Sequence, residues 1–315
     1  MPRLPFNLPQ RLAGGKIAGV GGGAWQVWSL FKSLNVSEII EEAERPFHLA
    51  LIGTEDEAAL LAARLALESP APRDLGPQGP ADVRAYVGAY EDEASAPPGS
   101  LMLHADPLTA DEARLAEALA RIVADHPDLR LALARHVPAF RPAAVARMIA
   151  DSSQHNAKIA LLSALPGVIP FTDFLMPVTA LGDMILLTKN QALLLLTIAA
   201  AYGREIDLRA RTRELLPVVG SAFGWRAVAR ELIGLVPGGI GLLVKGSVAY
   251  AGTYTVGKAA MVYYSTGQTL TGPRLKQLYS DAFKDAAARV RPLLRRGRRS
   301  EAVDSPVDKP ADVRV

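Results

Sequence analysis

Residues 46–69, PFHLALIGTEDEAALLAARLALES, join a short apolar run to a helical one across a single glycine. Residues 46–53 have the length and apolar continuity of a buried strand, bounded by a proline before and a glycine at the end. The pattern then changes. A threonine in N-cap position, three acidic residues in the first turn and apolar residues at helical spacing predict a helix over 54–69. A strand that turns through glycine into a helix N-terminus is the opening of an α/β unit.

Outward from this stretch the alternation continues. A Pro/Gly/Asp-rich loop (70–82) leads to strands expected at 82–90 and 99–106, then to an amphipathic helix at 109–127. LRLALARHV (129–137) reads as a fourth strand, followed by a helix from Arg141 or Pro142. The expected domain over 45–140 is a parallel sheet covered by helices, small and three-layered. Upstream, 1–15 reads as irregular. Trp25, Trp28, Phe31, Leu34, Ile39 and Ile40 predict an amphipathic helix over 24–44 that stops before Pro46.

At 315 residues the chain is long enough for two domains. Half of it is apolar and 21% charged, which excludes wholesale disorder, and the 6% aromatic content leaves a helix-favouring Ala/Leu/Val/Ile mixture. The absence of cysteine excludes disulfides, thiolate metal sites and thiol nucleophiles. Six arginines crowd one segment: Arg289, Arg291, Arg295, Arg296, Arg298 and Arg299. Taking those six charges from the net +3 leaves −3, so the basic balance belongs to a tail and no nucleic-acid-binding face is expected. The apolar stretch 16–32 lacks a clean cleavage site for a secretory signal.

Beyond Asn156 the texture changes. Between Ile159 and Tyr202 the only charges are Asp173, Asp183 and Lys189, and a further apolar region at 232–264 is interrupted only by Lys245 and Lys258. No block runs uninterrupted for the roughly 20 apolar residues of a membrane span. Prolines 166, 170 and 177 with the two aspartates break the first, Lys189-Asn190-Gln191 the second, and Pro237-Gly238-Gly239 the third. Three readings stand open: a soluble bundle with central helices buried all round, broken helices packed within a membrane, and a helical domain lying on a bilayer. Gly220/Gly224 and Gly234/Gly238 have the spacing of closely packed membrane helices, and the arginine cluster has the character of a juxtamembrane anchor for anionic lipid. Asp173 and Asp183 are expected to face protein or water, or to cap helices. From Leu270 an amphipathic helix leads into the arginines, and 300–315 reads as a disordered tail.

Chemical motifs are mostly missing. The strand ending at Gly53 is placed like that of a phosphate-binding loop, whose amides, lysine and hydroxyl hold a nucleotide and its magnesium. Here Thr54-Glu55-Asp56-Glu57 fill the loop, and Ala58, Ala59 and Leu60 stand where Gly, Lys and Ser/Thr belong. Asp106 could mimic the magnesium-side aspartate, but no base-reading motif follows. Gly19-Val-Gly21-Gly22-Gly23-Ala24 fits a dinucleotide fingerprint without its preceding strand, and reads as a flexible hinge. Ser29-Leu-Phe-Lys32 lacks the companion motifs of a nucleophile. The five histidines show no metal-binding spacing. No cofactor and no catalytic residue is expected.

From Arg141 to about Gln268 the chain resembles the YcjF-type domain, a bacterial module of unknown function found in inner-membrane proteins and after small GTPase-like domains. The resemblance rests on Asn156-Ala157, Leu165-Pro166-Gly167-Val168-Ile169-Pro170, Phe171-Thr172-Asp173-Phe174, Met184-Ile185, Ile198-Ala199, Tyr202-Gly203-Arg204-Glu205, Val236-Pro237-Gly238 and 253–260 (TYTVGKAA, with Gly257). It implies a helical, membrane-associated module without established catalytic residues, and makes 45–140 the remnant of a GTPase. The expected organisation is a lead-in (1–44), a degenerate GTPase-like α/β domain (45–140), an apolar helical domain (141–285) and an Arg-rich segment with a tail (286–315). The expected role is non-catalytic docking at the inner membrane, the N-terminal domain and tail in the cytoplasm. Anionic headgroups and an unidentified protein are its expected partners, with a second copy of the chain as a further candidate. A nucleotide-binding switch with an atypical loop and a soluble oligomeric scaffold are the alternatives.

Overall fold

A computed structural model describes residues 36–65, 85–163, 176–206 and 241–303, with the backbone alone at 85, 107, 176–185, 241–243 and 289–303. The chain enters through α1 (Ser37–Ala43), which ends ahead of Pro46, and continues into β1 (Phe47–Ile52). Helix α2 (Glu55–Arg64) follows Thr54 as expected. β2 (Ala85–Tyr90) and β3 (Leu101–His104) pair on either side of β1, both parallel to it, giving the order β2-β1-β3. In register, Leu49 lies opposite both Val87 and Leu101, and Leu51 opposite Ala89 and Leu103. One face of the sheet is therefore a continuous apolar layer, as period-two alternation requires.

That face carries the core. Buried side chains from α1 (Ile39, Ala43), α2 (Ala58, Leu61) and α3 (Glu112–Asp125; Leu115, Leu119, Val123) join Leu49 and Leu51 in one cluster. The other face holds a small cluster of Ala50, Ile52 and Tyr90 backed by Ala96. Ala96 belongs to residues 91–100, which connect β2 to β3, ten residues with one 3-10 turn at Glu93–Ser95 and no α-helix. Among the described residues the sheet is thus covered by helices on one side only, which corrects the three-layer expectation. A parallel crossover of this length reaches across one strand without a helix to cover the face.

The expected fourth strand is a helix, α4 (Arg130–His136). Leu131, Ala132, Leu133 and Ala134 are all at most 3% exposed, so the run is buried all round and carries no period to distinguish strand from helix. Its Leu, Ala and Arg residues are strong helix formers, and the first β-branched residue is Val137 at its end.

The helical half consists of α5 (Arg141–Leu162), α6 (Met176–Ala201), α7 (Gly241–Thr266) and α8 (Gly272–Val303). Helix α6 runs without interruption through 183 and through Lys189-Asn190-Gln191, which the sequence marks as a break. Polar residues end a helix only when they offer the backbone a competing bond, and the side chain of Asn190 bonds across to a neighbouring helix instead. On α5 and α7, Ile149 lies against Gly257 and Leu161 against Gly246, so the two run antiparallel. A Cβ on Gly257 would lie 2.7 Å from Ile149 Cγ1, a separation only glycine permits. Tyr279, Ala282 and Phe283 of α8 then pack on Ala251 of α7, at the expected amphipathic spacing.

Both halves contribute to a single core, since Val145, Ile149, Leu196, Ile198 and Val256 belong to the same cluster as Leu49 and Leu51. Helix α8 continues through all six arginines to Val303, so 300–303 are helical and not a loose tail. No helix among the described residues is long and apolar enough to cross a membrane.

Candidate functional site

The head of α2 is the position a nucleotide phosphate would take. Gly53 adopts φ +151°, donates its amide to Tyr90 O at 2.9 Å, and leaves no room for a Cβ, which would sit 3.1 Å from both Ala105 Cβ and Glu57 Oε2. Thr54 then caps the helix. Its amide and its hydroxyl both donate to Glu57 Oε2, at 2.9 and 2.8 Å, while the Glu57 amide donates to Thr54 Oγ1 at 3.4 Å. This is a complete capping box. The two Thr54 bonds, that from the backbone first, hold the Glu57 carboxyl below its ordinary pKa. The anion at this helix terminus is thus the protein's own carboxylate, with Glu55 and Asp56 beside it in the first turn.

The remaining loop positions offer a phosphate nothing. Ala58 is buried in the core, Ala59 is half-buried, and Leu60 is exposed. Asp106 lies two residues beyond the end of β3, at a kink within Ala105–Leu108 where its backbone is extended (φ −91°, ψ 127°), and is exposed, not at the strand end where a magnesium-side aspartate would sit. Near it His104 Nε2 pairs with Glu93 Oε1 at 2.9 Å.

The sheet face that carries no helix among the described residues, buried under 91–100, holds a polar chain that sequence reading did not single out. His48 stacks on Tyr86 with ring centroids 4.7 Å apart, its Nε2 lies 3.1 Å from Tyr90 OH, and its Nδ1 meets Ser100 Oγ. Ser100 Oγ donates to Pro97 O at 2.6 Å. With the serine proton committed there, Nδ1 is the donor to Ser100 and Nε2 accepts from Tyr90, a neutral imidazole. Burial lowers the His48 pKa and raises that of Tyr90, in keeping with this assignment. The arrangement ties 91–100 to the sheet.

The residues singled out by family resemblance separate into two groups. Asp173, Pro237 and Gly238, with the paired glycines 220/224 and 234/238, lie outside the described residues, as does 19–32. Tyr202, Gly203 and Arg204 form the stop of α6. The Gly203 amide donates to Ala200 O at 2.9 Å and the Arg204 amide to Ala199 O at 3.0 Å, with Gly203 at φ +71°, which is a Schellman motif. Arg135 reaches this end from α4, donating to Glu44 Oε1 at 3.0 Å and to the carbonyls of Ala200 and Arg204 at 3.1 and 3.2 Å. Arg141 donates to Ala201 O at 3.1 Å and lies 5.7 Å from the Tyr202 ring. Two guanidinium groups therefore satisfy the last carbonyls of α6, and Arg135, from α4, fastens this end of the helical half to the sheet half. The family-like motif here is structural, and so is Gly257 at its close helix contact. Of the arginine cluster the backbone places every position on α8.

Three helices meet at a buried polar cluster. Asn156 of α5 donates from Nδ2 to Thr253 Oγ1 on α7 at 2.8 Å, and accepts at Oδ1 from Asn190 of α6 at 2.7 Å. Gln191 Nε2 also donates to Thr253 Oγ1, at 3.3 Å, and that hydroxyl donates to Ala249 O at 2.9 Å. Asn156 and Thr253 are wholly buried. The signal in the sequence is the Asn190-Gln191 pair inside an apolar helix, where amides persist only if they bond to another helix.

Asn190 also lines a cleft of about 620 Å³ between α1, the turn at 127–131, α5 and α6. Glu42, Asp128, Arg130, Asp151 and Lys158 bring charge to it, over Leu131, Met148 and Leu194. Arg130 Nη1 pairs with Asp151 Oδ2 at 2.8 Å, and Arg147 Nε with Asp151 Oδ1 at 3.2 Å.

Comparison of the chain with family models, with characterised proteins and with solved structures finds no match in any of the three.

Proposed function

We propose that this chain is a non-catalytic docking module of YcjF type, in which an α/β unit with a self-filled phosphate position is carried to an anionic membrane surface by its helical half. The observation that carries the first part is the Glu57 carboxylate, held by Thr54 at the head of α2. A triphosphate entering here meets three acidic side chains and no lysine, so repulsion replaces the attraction a phosphate loop supplies.

The surface association rests on α8. Because this helix is continuous to Val303, its period of about 3.6 residues puts all six arginine positions within one half of the circumference. Val290, Leu293 and Leu294 fall on the other half. A basic stripe opposite an apolar one is the pattern of a helix lying in a headgroup layer, where each basic residue contributes roughly 1 kcal/mol on an anionic surface. The reading is attachment of α8 to the cytoplasmic face of the inner membrane.

The test is co-sedimentation of the full chain with phosphatidylglycerol-containing vesicles, paired with calorimetric titration of GTP and ATP in magnesium. Binding to anionic but not neutral vesicles, lost in high salt and on changing the six arginines to glutamine, is expected. Nucleotide heats are expected to be absent. Micromolar nucleotide binding would overturn the docking reading in favour of a switch, and indifference to lipid charge would overturn the membrane part.

A further inference from the structure

The cleft bounded by α5 and α6 has a charge pattern that its own ion pairs leave incomplete. Met148, Asp151, Ser152 and His155 of α5 recur at intervals of three and four residues, as do Asn190, Leu193, Leu194 and Thr197 of α6, so each helix turns one side to it. Its floor is apolar, with Leu131 and Leu194 each 3% exposed and Met148 9%. Arg130 and Asp151 are satisfied by each other and by Arg147, and Asp128 lies 3.6 Å from Arg45. Among the described residues, Glu42 and Lys158 line the cleft without any ion pair. They come from different elements, Glu42 from α1 and Lys158 from α5.

We propose that this cleft binds a small aliphatic zwitterion, with its ammonium group on Glu42, its carboxylate on Lys158 and its methylene chain over Leu131, Met148 and Leu194. Glu42 is half-buried and Lys158 exposed, so a molecule carrying one charge would engage one of the two and leave the other to solvent. An uncharged one would leave both. Glu42 is half-buried, and burial first, then the Glu38 charge, raises its pKa against the opposing pull of Arg45. An incoming ammonium supplies what this desolvated carboxyl lacks. His155 at the same wall adds a second donor for the carboxylate. The volume falls within the range of pockets that enclose small ligands, and the mixture of apolar floor and few polar groups is their usual lining. The inference rests on the cleft alone and is independent of the membrane reading.

The experiment is titration of the full chain with straight-chain ω-amino acids from γ-aminobutyrate to aminododecanoate, followed by calorimetry and by amide chemical shifts. One chain length is expected to bind at least about tenfold more tightly than the amine or the carboxylic acid of equal length, with shifts centred on α5 and α6. Glu42→Gln is expected to reduce that affinity to the level of the acid, and Lys158→Gln to the level of the amine. Thermal melts of both variants verify that the fold is kept, since neither side chain is in the core. Absence of binding across the series, equal binding of singly charged analogues, or full affinity in both variants would overturn the proposal.

Discussion

At the sheet, polar side chains sit where the chain turns: Thr54 with Glu57, Asp92 with the amide and hydroxyl of Ser95, Asp111 with the amides of Ala113 and Arg114. Each partner is at most three residues away. In the helical half they sit in the middle of elements and reach across the fold, Asn190 to Asn156 over 34 positions, Gln191 to Thr253 over 62 and Asn156 to Thr253 over 97. The first kind of bond is exposed and replaces a bond to water. The two bonds to Thr253 are made where no water competes, so their loss leaves a bare donor in the core. The difference teaches where fragility lies: the turns of the sheet half are set by local bonds that can be lost one at a time, the centre of the helical half by a few that cannot.

The largest expected effect follows from the hydroxyl on which the cluster converges. Thr253→Val keeps shape but removes the acceptor of both Asn156 Nδ2 and Gln191 Nε2. With about 1–3 kcal/mol for each of the two buried donors left unsatisfied, a loss of roughly 2–6 kcal/mol is expected in urea unfolding. A combined Asn156→Leu, Asn190→Leu, Gln191→Leu and Thr253→Val chain should recover much of it, because no amide of the cluster is left without a partner. If the single variant is as stable as the parent, the contrast between the two halves fails.

The same contrast explains what the sequence revealed. The β1–α2 junction, the N-cap at Thr54 and the strands at β2 and β3 follow from punctuation and period within a few residues. Helix α4 was not legible because a short run buried on every side has no period. Asn190 and Gln191 read as a break because their partners lie on other helices. Arg135 and Arg141 likewise look like ordinary surface cations until the C-terminus of α6 is placed against them. The motif Tyr202-Gly203-Arg204 was visible as a resemblance, but its meaning as a helix stop needed the backbone.

A smaller effect is expected at the helix contact. Gly257→Ala sets a methyl 2.7 Å from Ile149 Cγ1, and Ile149 is fully buried and β-branched, so it has little freedom to yield. Overpacking costs about 1–3 kcal/mol, offset by up to about 1 kcal/mol of helix propensity. The net expectation is a clear fall in the melting temperature. Gly272→Ala, where nothing lies within 4 Å, serves as the control and should be neutral or slightly stabilising. Equal outcomes at the two glycines would remove close approach as the reason for Gly257.

The smallest effect belongs to the sheet half and reads through pH. Burial lowers the His48 pKa from its ordinary 6.5, while Tyr86, Tyr90 and Ser100 face the ring without supplying a carboxylate. A histidine whose folded pKa is depressed binds protons more readily when unfolded. Its contribution is therefore fully present above about 6.5, is lost as the pH falls toward the lower folded value, and changes no further below that. His136 is shifted in the same direction, burial outweighing the Glu44 charge, so it adds to the acid-side slope. Replacing His48 with Gln should flatten that slope in part and leave the remainder to His136. A slope unchanged in His48→Gln would mean that the Tyr90–His48–Ser100 chain does not exclude the imidazolium, and that the sheet face under 91–100 is open enough to solvate the charge.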